Sequence, residues 1–336
     1  ISTCSFTVTV IDPTVAEVGT CVNNISLNTG AACTAVATWF APTVTDNCSG
    51  AMISQTAGLA SGSAFPLGVS TITYTATDGA GNISTCSFTV TVNDVTAPAI
   101  ACPANIVVGT GAGICGAVVN YATPVGTDNC SGDATTRTAG LASGSTFPVG
   151  TTTVTYLVTD AADLTASCSF TVTVNDTEAP VALCQNITVN LGAGSVNITA
   201  AQVNNGSTDN CAVTGLSVSP NSFNAVGTYP VVLTVSDAAG NSSTCNATVT
   251  VTDVNPPVAV CQPITVTLDA SGNATITSAQ LDGGSTDNGT IVSIVASQTS
   301  FDCTDVGTVT VTLTVTDDGG NVSTCDATVT VVDNSN

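Results

Sequence analysis

A twelve-residue phrase that closes each of several repeats constrains the fold of this chain more than any other feature. Residues 1–12 return at residues 83–94 with only Ile11 changed, to Asn93. The phrase recurs with more drift at three later places, and its cysteines stand about 80 residues apart, the size of one small domain. We therefore expect residues 1–12 to be the closing strand of an absent preceding repeat, followed by repeats at 13–94, 95–176, 177–253 and 254–336.

The charge composition limits the partners of the chain. It has no Lys, no His and a single Arg, Arg137, and its formal net charge is −22. Nucleic acids and anionic membranes are bound through Lys and Arg, so both are excluded as partners. Cations, basic partners or solubility alone fit the acidic excess. The apolar residues alternate with Thr in short strings, which also speaks against membrane insertion.

The cysteines indicate the compartment. Fifteen of them stand at repeating positions. Such a pattern persists as disulfides in an oxidising environment and is reduced in a cytosol. We therefore expect a secreted protein, extracellular or on the cell surface.

Period-two alternation predicts the fold class. In the second repeat it marks strands rich in β-branched and aromatic residues, with turn signals between them. About seven short strands per repeat predict tandem immunoglobulin-like antiparallel β-sandwiches in an elongated, all-β array. No segment has the apolar spacing of a helix. The strands predicted for the second repeat are 106–109, 117–121, 145–147, 151–159 and 168–174.

Two local features complete this prediction. Trp39 and Tyr121 occupy equivalent places and are predicted to be core aromatics. The phrase from Asp78 to Asn82 joins two strands and has the Asp, Gly and Asn residues that hairpin turns prefer. The second repeat ends this phrase in Leu164, so we expect its hairpin to be less well formed.

The cysteine spacing suggests a disulfide framework. Each repeat has one early cysteine and one in its closing strand, and a bridge between them contributes about 4 kcal/mol in the chain-entropy account. The first two repeats each add a local pair. Cys4, Cys211 and Cys303 are then left either as free thiols or in bonds between repeats or molecules. The predicted pairs are Cys21–Cys86, Cys33–Cys48, Cys102–Cys168, Cys115–Cys130, Cys184–Cys245 and Cys261–Cys325.

The motifs of the first two repeats resemble those of a known family. The second repeat combines Cys102-Pro103, the Asp-Asn-Cys-Ser-Gly phrase at 128–132, Phe-Pro-Val-Gly at 147–150 and the closing phrase at 168–174. This set is similar to the hyalin repeat, or HYR domain, and repeats three and four resemble a related repeat of large Bacteroidetes-type bacterial surface proteins. The resemblance implies an immunoglobulin-like fold and an extracellular role in adhesion or surface structure. It does not identify a ligand.

Catalysis is not expected. Without His or Lys no Ser or Cys has an imidazole to activate it, and a general base would have to be Asp. The aspartates recur at equivalent turn positions in every repeat, which is typical of a scaffold. No cofactor is required by these residues.

Calcium is the candidate ligand. Carboxylate and amide oxygens suit this hard cation, and an ion at a junction would stiffen the array. The alternative is that these side chains only form turns with the backbone. The candidate ligands precede the middle strands or stand at the repeat junctions; they are Asp46, Asp128, Asp209 and Asp287, with Asp94, Asp176 and Asp253.

Three functional hypotheses follow. The leading one is a structural or adhesive protein, a disulfide-stapled array that acts as an adhesin stalk or as the subunit of a surface filament. The alternative is an adhesion module that binds glycan or protein through its loops, with or without calcium. The third is self-assembly through strand addition by residues 1–12. Expected partners are copies of the chain itself or extracellular partners.

Overall fold

The fold is all-β and repeats one architecture four times. The computed structural model describes residues 1–192 and 194–334. It comprises two compact units, one of Ile1–Val108 with Gly116–Val174, the other of Gly109–Cys115 with the chain from Asn175 onward. Over the described ranges each repeat contributes one four-stranded sheet. The predicted class, tandem immunoglobulin-like β-sandwiches, is confirmed; the last two residues of the predicted fourth repeat lie outside the described part.

The first repeat is a two-sheet sandwich. Its strands are β1 Glu17–Val18, β2 Ile25–Asn28, β3 Thr34–Val36, β4 Val44–Thr45, β5 Met52–Ala57, β6 Ala64–Pro66, β7 Gly68–Thr77 and β8 Ile83–Asn93. The main sheet has the order β2-β8-β7-β5, and β3 pairs with β6 in the facing sheet. The two-residue strands β1 and β4 form a separate pair. Phe65 of β6 packs with Ile72 and Phe88 of the main sheet, so the core lies between the sheets. Alternation along β8 buries Val90 and Val92 and leaves the Thr residues between them partly exposed.

The second repeat has the same plan. Its strands are β9 Ile106–Gly109, β10 Gly116–Val119, β11 Ala134–Ala139, β12 Ser145–Pro148, β13 Gly150–Thr159 and β14 Thr165–Asn175. Five of them overlap the predicted strands. The sixth, β11, pairs with β13 and was missed because its polar residues show no apolar alternation and are mostly exposed.

Repeats three and four belong to the second unit. Repeat three consists of β15 Ile187–Asn190, β16 Val196–Asn197, α1 Ala200–Val203, β17 Val213–Ser219, β18 Ser222–Phe223, β19 Gly227–Asp237 and β20 Ser242–Thr252. Repeat four consists of β21 Ile264–Thr267, β22 Asn273–Thr275, α2 Ser278–Leu281, β23 Ile291–Ala296, β24 Ser300–Asp302, a 3₁₀ turn at Cys303–Asp305, β25 Gly307–Asp317 and β26 Val322–Val332. Each core again lies between a four-stranded and a two-stranded sheet.

The two short helices were not predicted from the sequence. Each follows a Thr whose backbone N–H donates to the side-chain oxygen of a Gln three residues later, Thr199 to Gln202 and Thr277 to Gln280, both at 2.8 Å. This is one half of a capping box, and the Thr-x-x-Gln spacing is its signal in the sequence. A second difference is that β2, β15 and β21 run parallel to the closing strands of their repeats, in otherwise antiparallel sheets.

The two predicted core aromatics pack against the core. Trp39 contacts Phe88 edge to face with ring centroids 5.2 Å apart, and its Nε1 donates to the Tyr74 hydroxyl at 2.9 Å. Tyr121 packs in the same manner on Phe170. Burial, followed by the hydrogen bond with the Tyr156 hydroxyl, raises the pKa of Tyr121 to about 12.

Residues 1–12 form no strand, although the same letters form β8. Phe6, Val8 and Val10 are largely exposed, whereas their counterparts Phe88 and Val90 are 2% and 0% exposed. Strand β8 lies between β7 and β2, and residues 1–12 have no such neighbours in the described chain. The phrase therefore becomes a strand only where partner strands flank it.

The hairpin of the second repeat closes as well as the others, so the prediction of a weaker hairpin is wrong. Asp160 N–H donates to the Leu164 carbonyl at 3.0 Å, as Asp78 N–H does to the Asn82 carbonyl at 3.1 Å. The second repeat has Leu164 in place of the Asn side chain, and the loss of this amide has a different effect. Asn82 Nδ2 donates to Asp78 Oδ2 at 2.7 Å, whereas Asp160 Oδ2 is buried and has no partner.

Six disulfides form among the described residues, and four of them are those predicted within single repeats: Cys21–Cys86, Cys102–Cys168, Cys184–Cys245 and Cys261–Cys325. The predicted local pairs Cys33–Cys48 and Cys115–Cys130 are wrong. Cys33 pairs with Cys130 in the first unit, and Cys115 pairs with Cys211 in the second. Cys4, Cys48 and Cys303 are free and exposed.

The length of the sandwich explains why Cys33 does not reach Cys48. The loop that contains Cys33 leaves the sheet beside Asn93, where Thr29 N–H donates to the Asn93 carbonyl. Cys48 lies at the other end of β8, where a Cβ on Gly79 of the hairpin would contact the Ser49 carbonyl. Eleven residues of strand separate these ends by about 35 Å. A disulfide tolerates a Cα separation of only about 7 Å.

Disulfide mapping tests this pairing. Digestion of the unreduced chain with a protease that cleaves at Asp should release peptides that join Cys33 to Cys130 and Cys115 to Cys211, identified by mass spectrometry before and after reduction. The four bridges within repeats are the internal control. A peptide that joins Cys33 to Cys48 would contradict the structure.

The hairpin difference gives a second prediction. Replacing Leu164 by Asn should supply the donor that Asp160 Oδ2 lacks and stabilise the second repeat by about 1 kcal/mol, because a buried acceptor without a partner is costly. Differential scanning calorimetry measures the shift. Asn241→Leu is the matched control, since it removes the 2.8 Å bond from Nδ2 to Asp237 Oδ2 and should lower the unfolding temperature. If Leu164→Asn leaves the unfolding temperature unchanged or lowers it, the lack of a donor to Asp160 Oδ2 does not destabilise the second repeat.

Candidate cation sites at the repeat junctions

Aspartates from three parts of the sequence lie near the start of each repeat, and in the fourth repeat all three come within 4.8 Å of one another. We name them by position: junction aspartates end the preceding closing phrase, turn aspartates begin the Asp-Asn turn, and hairpin aspartates begin the turn before the closing strand. Carboxylate oxygens of a junction and a turn aspartate lie within 4.8 Å of each other in all four repeats. The junction and turn pairs are Asp12 with Asp46, Asp94 with Asp128, Asp176 with Asp209, and Asp253 with Asp287.

Each turn aspartate has one satisfied and one unsatisfied carboxylate oxygen. Its Oδ2 accepts the backbone N–H two residues later, for example from Cys130 to Asp128 at 2.9 Å and from Gly289 to Asp287 at 2.8 Å. Its Oδ1 is buried and has no hydrogen-bond partner in the described chain. A turn held by its side chain therefore accounts for only half of each carboxylate. The four unsatisfied oxygens belong to Asp46, Asp128, Asp209 and Asp287.

In the second, third and fourth repeats the Asn that follows the turn aspartate contacts the loop of the preceding repeat. Asn129 Nδ2 donates to the Gly30 carbonyl at 3.2 Å, and Asn288 Nδ2 donates to the Leu191 carbonyl at 3.1 Å. In the second unit Asn210 Nδ2 donates to the Ile114 carbonyl at 3.2 Å. The side-chain oxygens of Asn129 and Asn210 are buried without partners, which adds neutral acceptors beside the unsatisfied carboxylates.

The hairpin aspartates are buried and tie the hairpin to the junction. Asp78 accepts N–H groups of Ala80 and Asn82 on Oδ1, and Asn82 Nδ2 donates both to Asp78 Oδ2 and to the Asp12 carbonyl. Burial opposes ionisation of Asp78, but these hydrogen bonds, led by the Asn82 side chain, hold its pKa below the ordinary value. Asn241 and Asn321 make the equivalent links to the junction carbonyls of Asp176 and Asp253.

The first junction contains a free thiol. The hydrogen bond with Cys48 is the main reason that the pKa of Asp12 lies below its ordinary value, and the same bond raises the pKa of Cys48. Cys48 is therefore a protonated donor to the junction carboxylate at neutral pH.

The fourth junction has the greatest density of carboxylates. Asp253 and Asp317 are 4% and 1% exposed, and their oxygens approach those of Asp287 within 4.8 Å. A Cβ at position 289 would lie 2.8 Å from Asp253 Oδ2 and 2.9 Å from Asp318 Oδ1. Gly289 stands where the second and third repeats have a bridged cysteine. This junction thus has a fourth carboxylate in place of a disulfide.

These clusters have acceptors but no cationic donor. The chain has no Lys or His, and its single Arg, Arg137, donates to the Gly140 carbonyl on an exposed strand. Cys130 and Cys211 are oxidised and offer no thiolate. At the second, third and fourth junctions only carboxylate and amide oxygens are left as ligand atoms, which suits a hard cation such as Ca²⁺ better than nitrogen- or sulfur-seeking metals. The first junction differs, since the free thiol of Cys48 lies beside its two aspartates.

The structure brings together the junction and turn aspartates that the sequence analysis selected. Asp94 lies with Asp128, Asp176 with Asp209, and Asp253 with Asp287. Sequence reasoning missed Asp12 and the hairpin aspartates, of which Asp317 completes the fourth cluster. Their signal was available, since an Asp precedes the hairpin in every repeat. Calcium itself stays a prediction.

Comparisons with known proteins agree with the resemblance in the first two repeats. A family model described as the HYR domain matches residues 11–92 and 93–174. Hyalin of Strongylocentrotus purpuratus is 34% identical over 309 residues, which is 86% of this chain and 25% of that protein. Hyalin of Lytechinus variegatus is 31% identical over 356 residues, 99% of this chain and 66% of that protein. The chain thus spans only part of each relative, and these sea urchin proteins give no support to the predicted bacterial setting.

Solved structures of tandem domains show a weaker likeness. The protocadherin gammaB7 EC3-6 cis-dimer has a TM-score of 0.34 and 13% identity, over 95% of this chain and all of that chain. Titin domains I67–I69 have a TM-score of 0.29 and 13% identity, over 70% and 98% of the two chains. At such scores neither carries further weight. In the described residues no helix is long and apolar enough to cross a membrane. Residues 11–174 are therefore two HYR domains in tandem, within a chain of immunoglobulin-like sandwiches.

Proposed function

We propose that this chain is a structural, adhesive part of an extracellular array, a stalk or a filament subunit, whose repeat junctions are fastened by disulfides and calcium. One observation carries the proposal: every repeat presents a buried carboxylate oxygen without a partner at the junction with its neighbour. A side chain that served only the turn would not need this oxygen buried, since an exposed one would be hydrated at no cost.

Disulfides and relatives support the extracellular setting. Six disulfides are typical of proteins that fold in an oxidising compartment. The two bridges that join cysteines of different repeats, Cys33–Cys130 and Cys115–Cys211, supplement the short peptide linkers. The relatives named Hyalin are consistent with an adhesive array, and the proposal extends that role to this chain.

A structural role fits the acidic residues better than catalysis does. The same three aspartate positions recur in four repeats, with the same backbone bond to each turn aspartate. Each hairpin aspartate likewise accepts the backbone N–H four residues later. An active site is ordinarily built once, whereas a junction must be built at each repeat. We therefore propose a non-enzymatic protein.

Calcium is the proposed ion because of the ligands and their spacing. Ca²⁺ accepts six to eight oxygen ligands in a flexible arrangement, whereas Mg²⁺ demands a near-ideal octahedron and keeps its waters. At the fourth junction Asp253, Asp287, Asp317 and Asp318 would hold the ion together with solvent. Because Asp253 ends the closing phrase of the third repeat and the others belong to the fourth repeat, the ion would join the two repeats.

Calcium titration tests the proposal on the intact chain. Isothermal titration calorimetry should detect binding, and calcium at about 100 times the dissociation constant should stabilise a site by about 2.7 kcal/mol, raising the unfolding temperature relative to chelated protein. Asp287→Asn removes a carboxylate charge at the fourth junction and should reduce the number of bound ions.

The matched control is Asp269→Asn. Asp269 also accepts backbone N–H groups in a turn, from Ser271 at 2.8 Å and Asn273 at 3.0 Å, but it is exposed and lies in a different loop. The Asp269→Asn variant should therefore bind calcium with the same heat as the wild-type chain. If the wild-type chain gives no heat with calcium and unfolds at the same temperature after chelation, the cation part of the proposal fails.

A further inference from the structure

The two bridges between repeats use the same position, directly before the first strand of the two-stranded sheet. Cys33 and Cys115 each stand two residues before an alanine that pairs with a buried Phe, in the registers Ala35 with Phe65 and Ala117 with Phe147. We call these the loop cysteines. Each bonds the cysteine of the Asp-Asn-Cys turn in the following repeat, which we call the turn cysteine.

Between repeats three and four both halves of this bridge are absent together. Val196 pairs with Phe223, so the loop position of the third repeat is Gly194. The turn position of the fourth repeat is Gly289. Loop and turn cysteines thus occur as pairs or not at all at the three junctions inside the described chain. An unpaired member of either kind therefore indicates a partner of the other kind.

The fourth repeat has such an unpaired member, Cys303, displaced to the 3₁₀ turn that follows the neighbouring strand β24. Ala274 pairs with Phe301, which makes Gly272 the loop position. Gly272 has φ of 74°, close to the 55° of Cys33. A Cβ built on Gly272 would lie only 2.7 Å from Cys303 Sγ. The Cys303 sulfur therefore occupies the place that the side chain of a loop cysteine would take, and it is exposed.

We propose that Cys303 is the loop thiol of the fourth repeat and forms a disulfide with the turn cysteine of another HYR-type module. This rests on the proposed role in an array. The chain contains a free thiol of the matching kind in Cys48, which stands in an Asp-Asn-Cys turn and is exposed. The source of the turn cysteine is either a module joined after the fourth repeat or a second copy of this chain.

The bond forms by oxidation with a disulfide reagent. The two thiols lose two protons and two electrons as the S–S bond forms, and the electrons reduce a disulfide such as oxidised glutathione to two thiols. The Asn side chain beside each bonded turn cysteine helps to position the sulfur of that cysteine. It donates a hydrogen bond to a loop carbonyl of the preceding repeat.

The first experimental arm supplies a tethered turn cysteine. Residues 13–94 are repeated directly after Asp333 in a chain whose own Cys48 is replaced by Ser, so that the appended module supplies the one Cys48, and the product is refolded in a glutathione redox buffer. Peptide mass spectrometry should find Cys303 bonded to the Cys48 of the appended module. Cys4 is the matched control, because it is also free and exposed but does not stand at or beside the loop position of any repeat. It should be alkylated by iodoacetamide under the same conditions.

The second arm uses the unextended chain over a range of concentrations. Oligomers on non-reducing gels that disappear in both Cys303→Ser and Cys48→Ser identify a second copy as the source. Their absence, with the bond present in the extended chain, identifies a following module.

Two results would overturn the inference. One is complete alkylation of Cys303 in the extended chain while the appended module has formed its own Cys21–Cys86 bridge, which shows that it folded. The other is bonding of Cys4 and Cys303 to the appended module with equal yield. Neither readout involves calcium, so failure of the cation sites and failure of this bond are distinguishable.

Discussion

The lack of basic side chains is the constraint on which the rest of this structure depends. Carboxylates buried at the start of each repeat have no Lys or His to neutralise them, and Arg137 lies on an exposed strand. They rely on backbone N–H groups and Asn amides, which satisfy some of their oxygens and leave others bare. These donors come from the Asp-Asn turn, the hairpin and the linker of each junction. We propose that Ca²⁺ binds the carboxylate oxygens that accept no hydrogen bond.

The four junctions differ in how many disulfides and aspartates they contain. The second and third combine a disulfide with two close aspartates, whereas the fourth replaces the cysteine by Gly289 and adds Asp318. The second repeat loses the hairpin amide and keeps a bare oxygen on Asp160. The junctions thus differ in their disulfides and carboxylates, while the order of strands in the four-stranded sheets is the same in all four repeats.

Much of the fold was predictable because it depends on local alternation and repetition. Strands such as β13 and β14 are predicted by the alternation of Val and Thr along the chain. The disulfides within repeats follow from the one early and one late cysteine in each repeat. Strand β11 carries no such signal, since its neighbours give it structure through pairing rather than burial. The partners of Cys33 and Cys115 were not predictable from spacing, because fifteen residues along the chain cover the whole length of a sandwich. The junction and turn aspartates were found through repetition, but their meeting with the hairpin aspartate needs the tertiary structure.

The bridge between Cys33 and Cys130 makes the first two repeats a closed covalent ring. A protease that cut the linker near Val95 would open the ring without releasing either repeat. The linker that follows Asp253 has no second covalent route beside it among the described residues, so a cut there would leave only non-covalent contacts. In a protein exposed to extracellular proteases, tolerance of a nick therefore differs from one linker to the next along a single chain.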